Sequence, residues 1–135
     1  MESRNLYIRI LFGINMLNNL SNKFSSYFYF IFRVLVGLFF LLHGIQKLFS
    51  GNFAINLIGI AGIIEFLAGI LIILGLWTRF AALIAGITMI VAYFYVHFPG
   101  GFNPLTNGGE LALMYLVAFL VLFSYGAGKW GIDRS

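Results

Sequence analysis

Apolar residues in this chain do not alternate with polar ones; they run together. Four stretches are apolar on every side, at about Tyr29 to Phe49, Ala54 to Trp77, Phe80 to Phe98 and Glu110 to Tyr125. Ser50-Gly51-Asn52 closes the first, Pro99-Gly100-Gly101 the third and Gly126-Ala127-Gly128 the fourth. A helix crossing a hydrocarbon core about 30 Å thick needs about 20 apolar residues and satisfies its backbone internally. Strands of a membrane barrel would instead alternate over about ten residues. The pattern predicts an all-α fold, a four-transmembrane-helix bundle. The fourth run is the shortest, and a start one turn before Glu110 would lengthen it.

Composition makes lipid the required solvent. Of 135 residues, 61% are hydrophobic and only 9% charged, against about 25% charged in soluble domains. A water-soluble chain this small could not hide so much apolar surface, because small domains leave a large share of their area exposed. The length allows one membrane domain, read as residues 27–135, after an N-terminal leader of residues 1–26.

The formal net charge is +4, but the basic residues form no stripe interleaved with stacking aromatics, which excludes nucleic-acid binding. They sit at segment ends. Arg4, Arg9, Lys23 and Arg33 precede or open the first helix, Arg79 joins the second to the third, and Lys129 and Arg134 follow the fourth; only Lys47 lies near the other side. Because cytoplasmic ends carry the Lys/Arg excess, both termini are expected in the cytoplasm, with Trp77 and Trp130 at that interface.

The leader pairs apolar clusters with an interrupting Arg9 and lacks a small-residue cleavage site. It reads as a retained interfacial or disordered segment, not a cleaved signal peptide. Asn15, Asn18, Asn19, Ser21 and Asn22 read as a polar connector to the first helix.

There is no cysteine, which excludes disulfides, thiol redox centres, thiolate metal sites and cysteine nucleophiles. Candidate chemistry therefore rests on ionisable groups within the apolar runs. Each costs about 2.5–3.5 kcal/mol at mid-bilayer for Arg, Lys or Asp, so each needs an offsetting partner or role. At 100° per residue, Arg33, Gly37, Gly44 and Lys47 share one face of the first helix, with His43 on its flank. The alternative for Arg33 and Lys47 is snorkelling to opposite membrane surfaces.

Glu65 is too short to snorkel, and Gly59, Gly62 and Gly69 lie within about 120° of it on the second helix. It reads either as a paired or ligand-facing carboxylate, or as a protonated one bonded to backbone. Counting rise per residue puts His43 and Glu65 at similar depth, with Lys47 one turn above His43 and His97 closing the third helix on the same side. The expectation is a polar pocket in the outer half built from His43, Gln46, Lys47, Glu65 and His97. Asn107-Gly108-Gly109-Glu110 reads as a capping box for the fourth helix, with Glu110 favoured by the helix dipole and a ligand role as its alternative. Two histidines alone specify no haem pocket, and no metal motif, phosphate loop or catalytic triad is present.

These residues carry a resemblance. Arg33-x3-Gly37 with His43-Gly44-x2-Lys47-Leu48 resembles the first helix of the DoxX family. Glu65-x3-Gly69-x5-Gly75-Leu76-x2-Arg79-x-Ala81-Ala82 is similar to its second helix and turn, and His97-Phe98-x2-Gly101-Phe102 with Asn107-Gly108-Gly109-Glu110-Leu111-Ala112-Leu113 to its third loop and fourth helix. Gly126-Ala127-Gly128-x4-Ile132-Asp133 resembles the family's closing segment, with Ala127 where proline is usual. The resemblance spans about Phe30 to Arg134 and leaves out residues 1–26. It implies a multi-pass protein of the bacterial inner membrane, in a family linked to quinone-linked redox complexes whose members mostly have no established activity of their own. Three functional readings follow. The first is a non-catalytic or quinone-associated subunit of a membrane oxidoreductase, with membrane or cytoplasmic redox proteins as partners. The second is a small transporter or lipid-binding module acting through Glu65, and the third a structural scaffold. Four short helices leave little interior room, so a ligand site is expected to need a homodimer interface.

Overall fold

In the computed structural model, residues 2–49 and 56–133 are described, with side chains from Phe12 onward. All regular structure among them is helical: α1 (Glu2–Phe49), α2 (Leu57–Leu74), α3 (Thr78–Ala92, continued by Tyr93–His97 and Phe98–Gly100), the single turn α4 (Pro104–Asn107) and α5 (Glu110–Tyr125). Three helical stretches, Phe12–Phe49, Leu57–Leu74 and Thr78–Gly100, are long and apolar enough to cross a membrane. The fourth, α5, is shorter at 16 residues, about 24 Å. A turn of helix does precede it, but Gly108 at φ 74° separates α4 from α5, so the two do not merge into one long span.

The expected polar connector is not one. Asn15 through Asn22 lie within α1, whose helix is continuous from Glu2 to Phe49. The expected start of the second helix near Ala54 falls outside the described residues. Within them α2 begins at Leu57, where the Asn56 side chain accepts from the Gly59 N–H at 3.0 Å. It ends at Gly75, whose left-handed φ of 66° lets the Gly75 and Leu76 N–H groups close back on Ile72 and Leu71.

α1 and α2 pack along the glycine faces that the spacing marks out. A Cβ on Gly44 would sit 2.4 Å from the Phe66 nitrogen and 2.9 Å from the Gly62 carbonyl oxygen, and one on Gly69 would lie 2.7 Å from the Leu41 nitrogen. Those neighbours are backbone and cannot yield. In lipid no hydrophobic force drives helices together, so such close approach is a main source of packing energy. Gly44→Ala is therefore expected to destabilise the bundle by about 1–3 kcal/mol. Gly86→Ala in α3 should be neutral or stabilising by up to about 1 kcal/mol, because its Cβ would meet only side chains at 3.7 Å. Thermal unfolding of the two variants in one detergent would check the contrast.

Around this pair, α3 and α5 complete the core, with Phe40, Ile72, Ala85, Phe119 and Leu122 almost fully buried. At the end of the bundle that carries Arg33 and Arg79, each helix terminus is capped by a residue distant in sequence. Arg33 is wholly buried and does not snorkel: Nη1 donates to the carbonyls of Ile72 and Ile73 at 2.5 and 2.8 Å, and Nη2 to that of Trp130 at 3.1 Å. Arg79 Nη1 donates to the Phe123 carbonyl of α5 at 2.8 Å. Asp133 accepts from the Trp77 and Thr78 N–H groups at the start of α3, both at 2.9 Å. Helix ends leave such groups without intrahelical partners, and the dipole favours cations at one end and anions at the other.

Burial works to raise the Asp133 carboxyl, but the Thr78 and Trp77 N–H groups and the charge of Arg33 outweigh it and hold it below its ordinary value of 3.8. A depressed carboxyl stabilises the fold above its unfolded value, and that contribution is lost as pH falls through the folded value. Asp133→Ala should cost about 1 kcal/mol at neutral pH, as loss of a helix cap does. Its deficit against wild type should shrink once the pH drops below about 4, read from urea or thermal midpoints across pH.

Candidate functional site

The opposite end of the bundle holds a cavity of about 160 Å³. α1 supplies Phe40, His43 and Lys47, spaced by three and four residues along the stripe that continues from Arg33. Glu65 enters from α2, at the middle of the glycine ridge. Met89, Ala92 and His97 come from α3 and its continuation, and Leu111, Ala112 and Tyr115 from α5. All of these lining residues come from one chain.

Local structure explains how His97 reaches it. Pro99 has no N–H to donate and its ring crowds the carbonyl four residues back. The helix loosens ahead of it into a π turn over Tyr93–His97 and then tightens over Phe98–Gly100. His97 Nδ1 lies 3.3 Å from the Asn107 carbonyl oxygen. A carbonyl only accepts, so this contact assigns a proton to Nδ1 and leaves Nε2 as the acceptor in the neutral ring.

Glu65 is 2% exposed. Its Oε1 accepts from Lys47 Nζ at 2.5 Å. The second oxygen, Oε2, is buried without a partner. Lys47 is part-exposed and reaches the carboxylate by laying its stem along Gly62, where a Cβ would stand 2.9 Å from Lys47 Cβ. Lys47 thus links a partly exposed position to a buried carboxylate. The aromatic wall is built by Tyr115, whose ring packs edge-on to His43 at 5.8 Å between centroids and tilted against Phe40 at 5.4 Å.

Of the residues the sequence singles out, His43, Lys47, Glu65 and His97 meet at this cavity. Gln46 does not: it is exposed on α1 and lines no part of it. Arg33 sits at the other end, as a cap. Glu110 is exposed in the first turn of α5, where the dipole favours a carboxylate. The capping box does not form. The N-cap is Gly109, and Asn107 Oδ1 instead accepts from the Gly109 N–H at 2.8 Å, an Asx turn ahead of the helix. Met89, Leu111 and Tyr115 were not legible as lining residues, because α3 and α5 are apolar all round, whereas Phe40 falls on the Arg33–Lys47 stripe of α1 and its spacing could have found it.

Comparison with known proteins places these features in a family. The DoxX family model matches residues 28–98. An uncharacterized protein of Haemophilus influenzae is 41% identical over 130 residues, covering 87% of this chain and 96% of its own length. A second from that organism is 41% identical over 69 residues, covering 51% of this chain and 46% of its own length. An uncharacterized membrane protein of Mycobacterium tuberculosis is 33% identical over 125 residues, 76% of this chain and 77% of its own length. No solved structure matches the chain significantly.

Proposed function

We propose a function from the premise that this chain belongs to the DoxX family of membrane proteins. In this reading it holds the polar head of a small membrane-soluble molecule, a quinone or its quinol, as a non-catalytic subunit of a bacterial inner-membrane oxidoreductase complex. The observation that carries it is the unpartnered, buried Glu65 Oε2 at a cavity that also holds Lys47, His43 and His97 and whose other walls are largely aromatic and aliphatic. A carboxylate oxygen left so is costly unless a donor reaches it.

The site suits such a head in size and in donors. A cavity of about 150 Å³ accepts one benzene-sized ring, and this one is of that volume. Glu65 would accept from a quinol hydroxyl, while Lys47 and the histidines would meet a ring oxygen or exchange its proton. When bound, a quinone supplies two-electron, two-proton chemistry. The electrons would have to come from a partner protein that docks close to the cavity, since the sequence carries no cysteine and no redox-metal motif of its own.

Titrating the full chain in lipid discs with a short-tailed quinone and its quinol tests this, following fluorescence quenching and, in parallel, native mass spectrometry of chain extracted gently from its own membrane. Saturable binding and a co-extracted quinone are the expected results. Only ordinary phospholipid retained, with quenching that never saturates, would overturn the reading in favour of a lipid-binding or transport module.

A further inference from the structure

We propose that the Phe12–Phe28 segment of α1 lies by its apolar face against an anionic lipid surface at the basic end of the bundle. The apolar stretch Phe12–Phe49 has 38 residues, about 57 Å of helix, and the hydrocarbon core takes only about 30 Å of it. The register is fixed by Arg33, which is bonded to the last carbonyls of α2. α2 itself is 18 residues, about 27 Å, so the level of Arg33 marks one edge of the core. Residues more than a turn or so before Arg33 therefore stand at that edge or beyond it.

That outlying segment is two-sided. At 100° per residue, Phe12, Met16, Leu17, Leu20, Phe24 and Phe28 fall within an arc of about 160°. Asn15, Asn18, Asn22 and Ser25 occupy the opposite arc. All are exposed in the isolated chain, Phe12 at 73% and Phe28 at 64%. No described part of the chain buries these six large apolar side chains, and water would be a poor solvent for them. A bilayer surface is adjacent by construction, since the segment is continuous with a membrane helix.

Charge selects the kind of surface. Residues before Phe28 include Arg4, Arg9 and Lys23 but only one acid, Glu2, a balance that favours anionic headgroups. Lys23 falls at the edge of the apolar arc, beside Phe12 and Met16, where its stem can lie on apolar surface and its charge reach the headgroups. Ser25 Oγ donates back to the Asn22 carbonyl at 3.1 Å, and back-bonding of this kind bends helices. α1 is a continuous helix through this point, so lying along the surface takes a bend, and we place that bend at the Ser25-Ser26 pair.

The absence of cysteine allows a clean test. Leu17→Cys, Leu20→Cys, Asn18→Cys and Asn22→Cys are made singly in the full chain, spin-labelled, and reconstituted at one chain per lipid disc with phosphatidylglycerol or with neutral lipid only. Collision with oxygen is compared with collision with a nickel chelate. The expected result is a several-fold preference for oxygen at positions 17 and 20 and for nickel at 18 and 22, strongest with phosphatidylglycerol and weakened by salt. Equal nickel access at all four positions would overturn the proposal, and equal contrast in neutral discs would overturn its anionic requirement. Contrast that appears only when several chains share a disc would assign the face to a second copy instead.

Discussion

Replacing Arg33 by alanine should lower stability by about 3–5 kcal/mol, the largest loss expected from any single side chain outside the cavity. The guanidinium is wholly buried and donates to three backbone carbonyls, of Ile72, Ile73 and Trp130. Each bond to a charged group contributes about 1.5–3 kcal/mol. Against this stands the cost of placing an arginine in the membrane, about 2.5–3.5 kcal/mol even at its centre, and less at the edge where Arg33 sits. The gain from relieving that cost is therefore smaller than the loss.

Buried charges can often be replaced by apolar residues without harm, because both partners can be removed together. Here the partners are carbonyls of α2 and of the C-terminal segment, which no substitution removes. Arg33→Met should consequently fare little better than Arg33→Ala. Arg33→Lys keeps the charge but replaces a planar fork by a single ammonium that cannot serve all three carbonyls, and about half the loss is expected. Unfolding in mixed micelles would measure all three. A deficit below about 1 kcal/mol for Arg33→Ala would reject the cap as a main support of the fold.

How far the sequence could lead is visible in the two ends of α1. The helical class and the glycine faces of α1 and α2 follow from local spacing, because close approach in lipid demands small residues at a fixed period. The meeting of His43, Lys47, Glu65 and His97 at one cavity follows from counting rise per residue along the first three helices. Gln46 escapes that count, because depth alone does not say which way a side chain turns, and one residue along a helix is 100° of rotation.

The caps were less legible. Asp133 serves the start of α3 across 55 residues, and Arg79 the end of α5 across 44. Helix-end signals are local rules, and a cap supplied from elsewhere in the chain leaves no local trace. The same holds for Trp77, whose left-handed φ of 48° at the entry to α3 is stabilised by Asp133 and not by any turn residue beside it. The connector reading fails for another reason. The leader's asparagines and serines suggest a connector, whereas in a long helix they form one polar face of a two-sided segment.

Glu65 variants should separate binding from folding. The carboxylate is almost fully buried, but its partner Lys47 is 34% exposed, and solvent discounts such a pair to about 1 kcal/mol or less. Glu65→Leu frees Lys47 to turn outward and removes the orphaned Oε2, so unfolding should shift by no more than about 1 kcal/mol. Lys47→Met is the unequal counterpart. It leaves a buried carboxylate uncompensated, and a loss of about 3 kcal/mol is expected.

Ligand binding should rank the variants differently. Loss of a hydrogen bond to a charged acceptor, about 1.5–3 kcal/mol, corresponds to about tenfold to a hundredfold in Kd. Glu65→Leu should weaken quinol binding by that factor. Glu65→Gln should fall between, since its amide oxygen still accepts but carries no charge. Lys47→Met, though less stable, should retain more affinity for a hydroxyl donor than Glu65→Leu does. Equal binding by the Gln and Leu variants, at matched folded fraction, would show that no ligand donor meets the carboxylate, and Glu65 would then be only the anchor of Lys47.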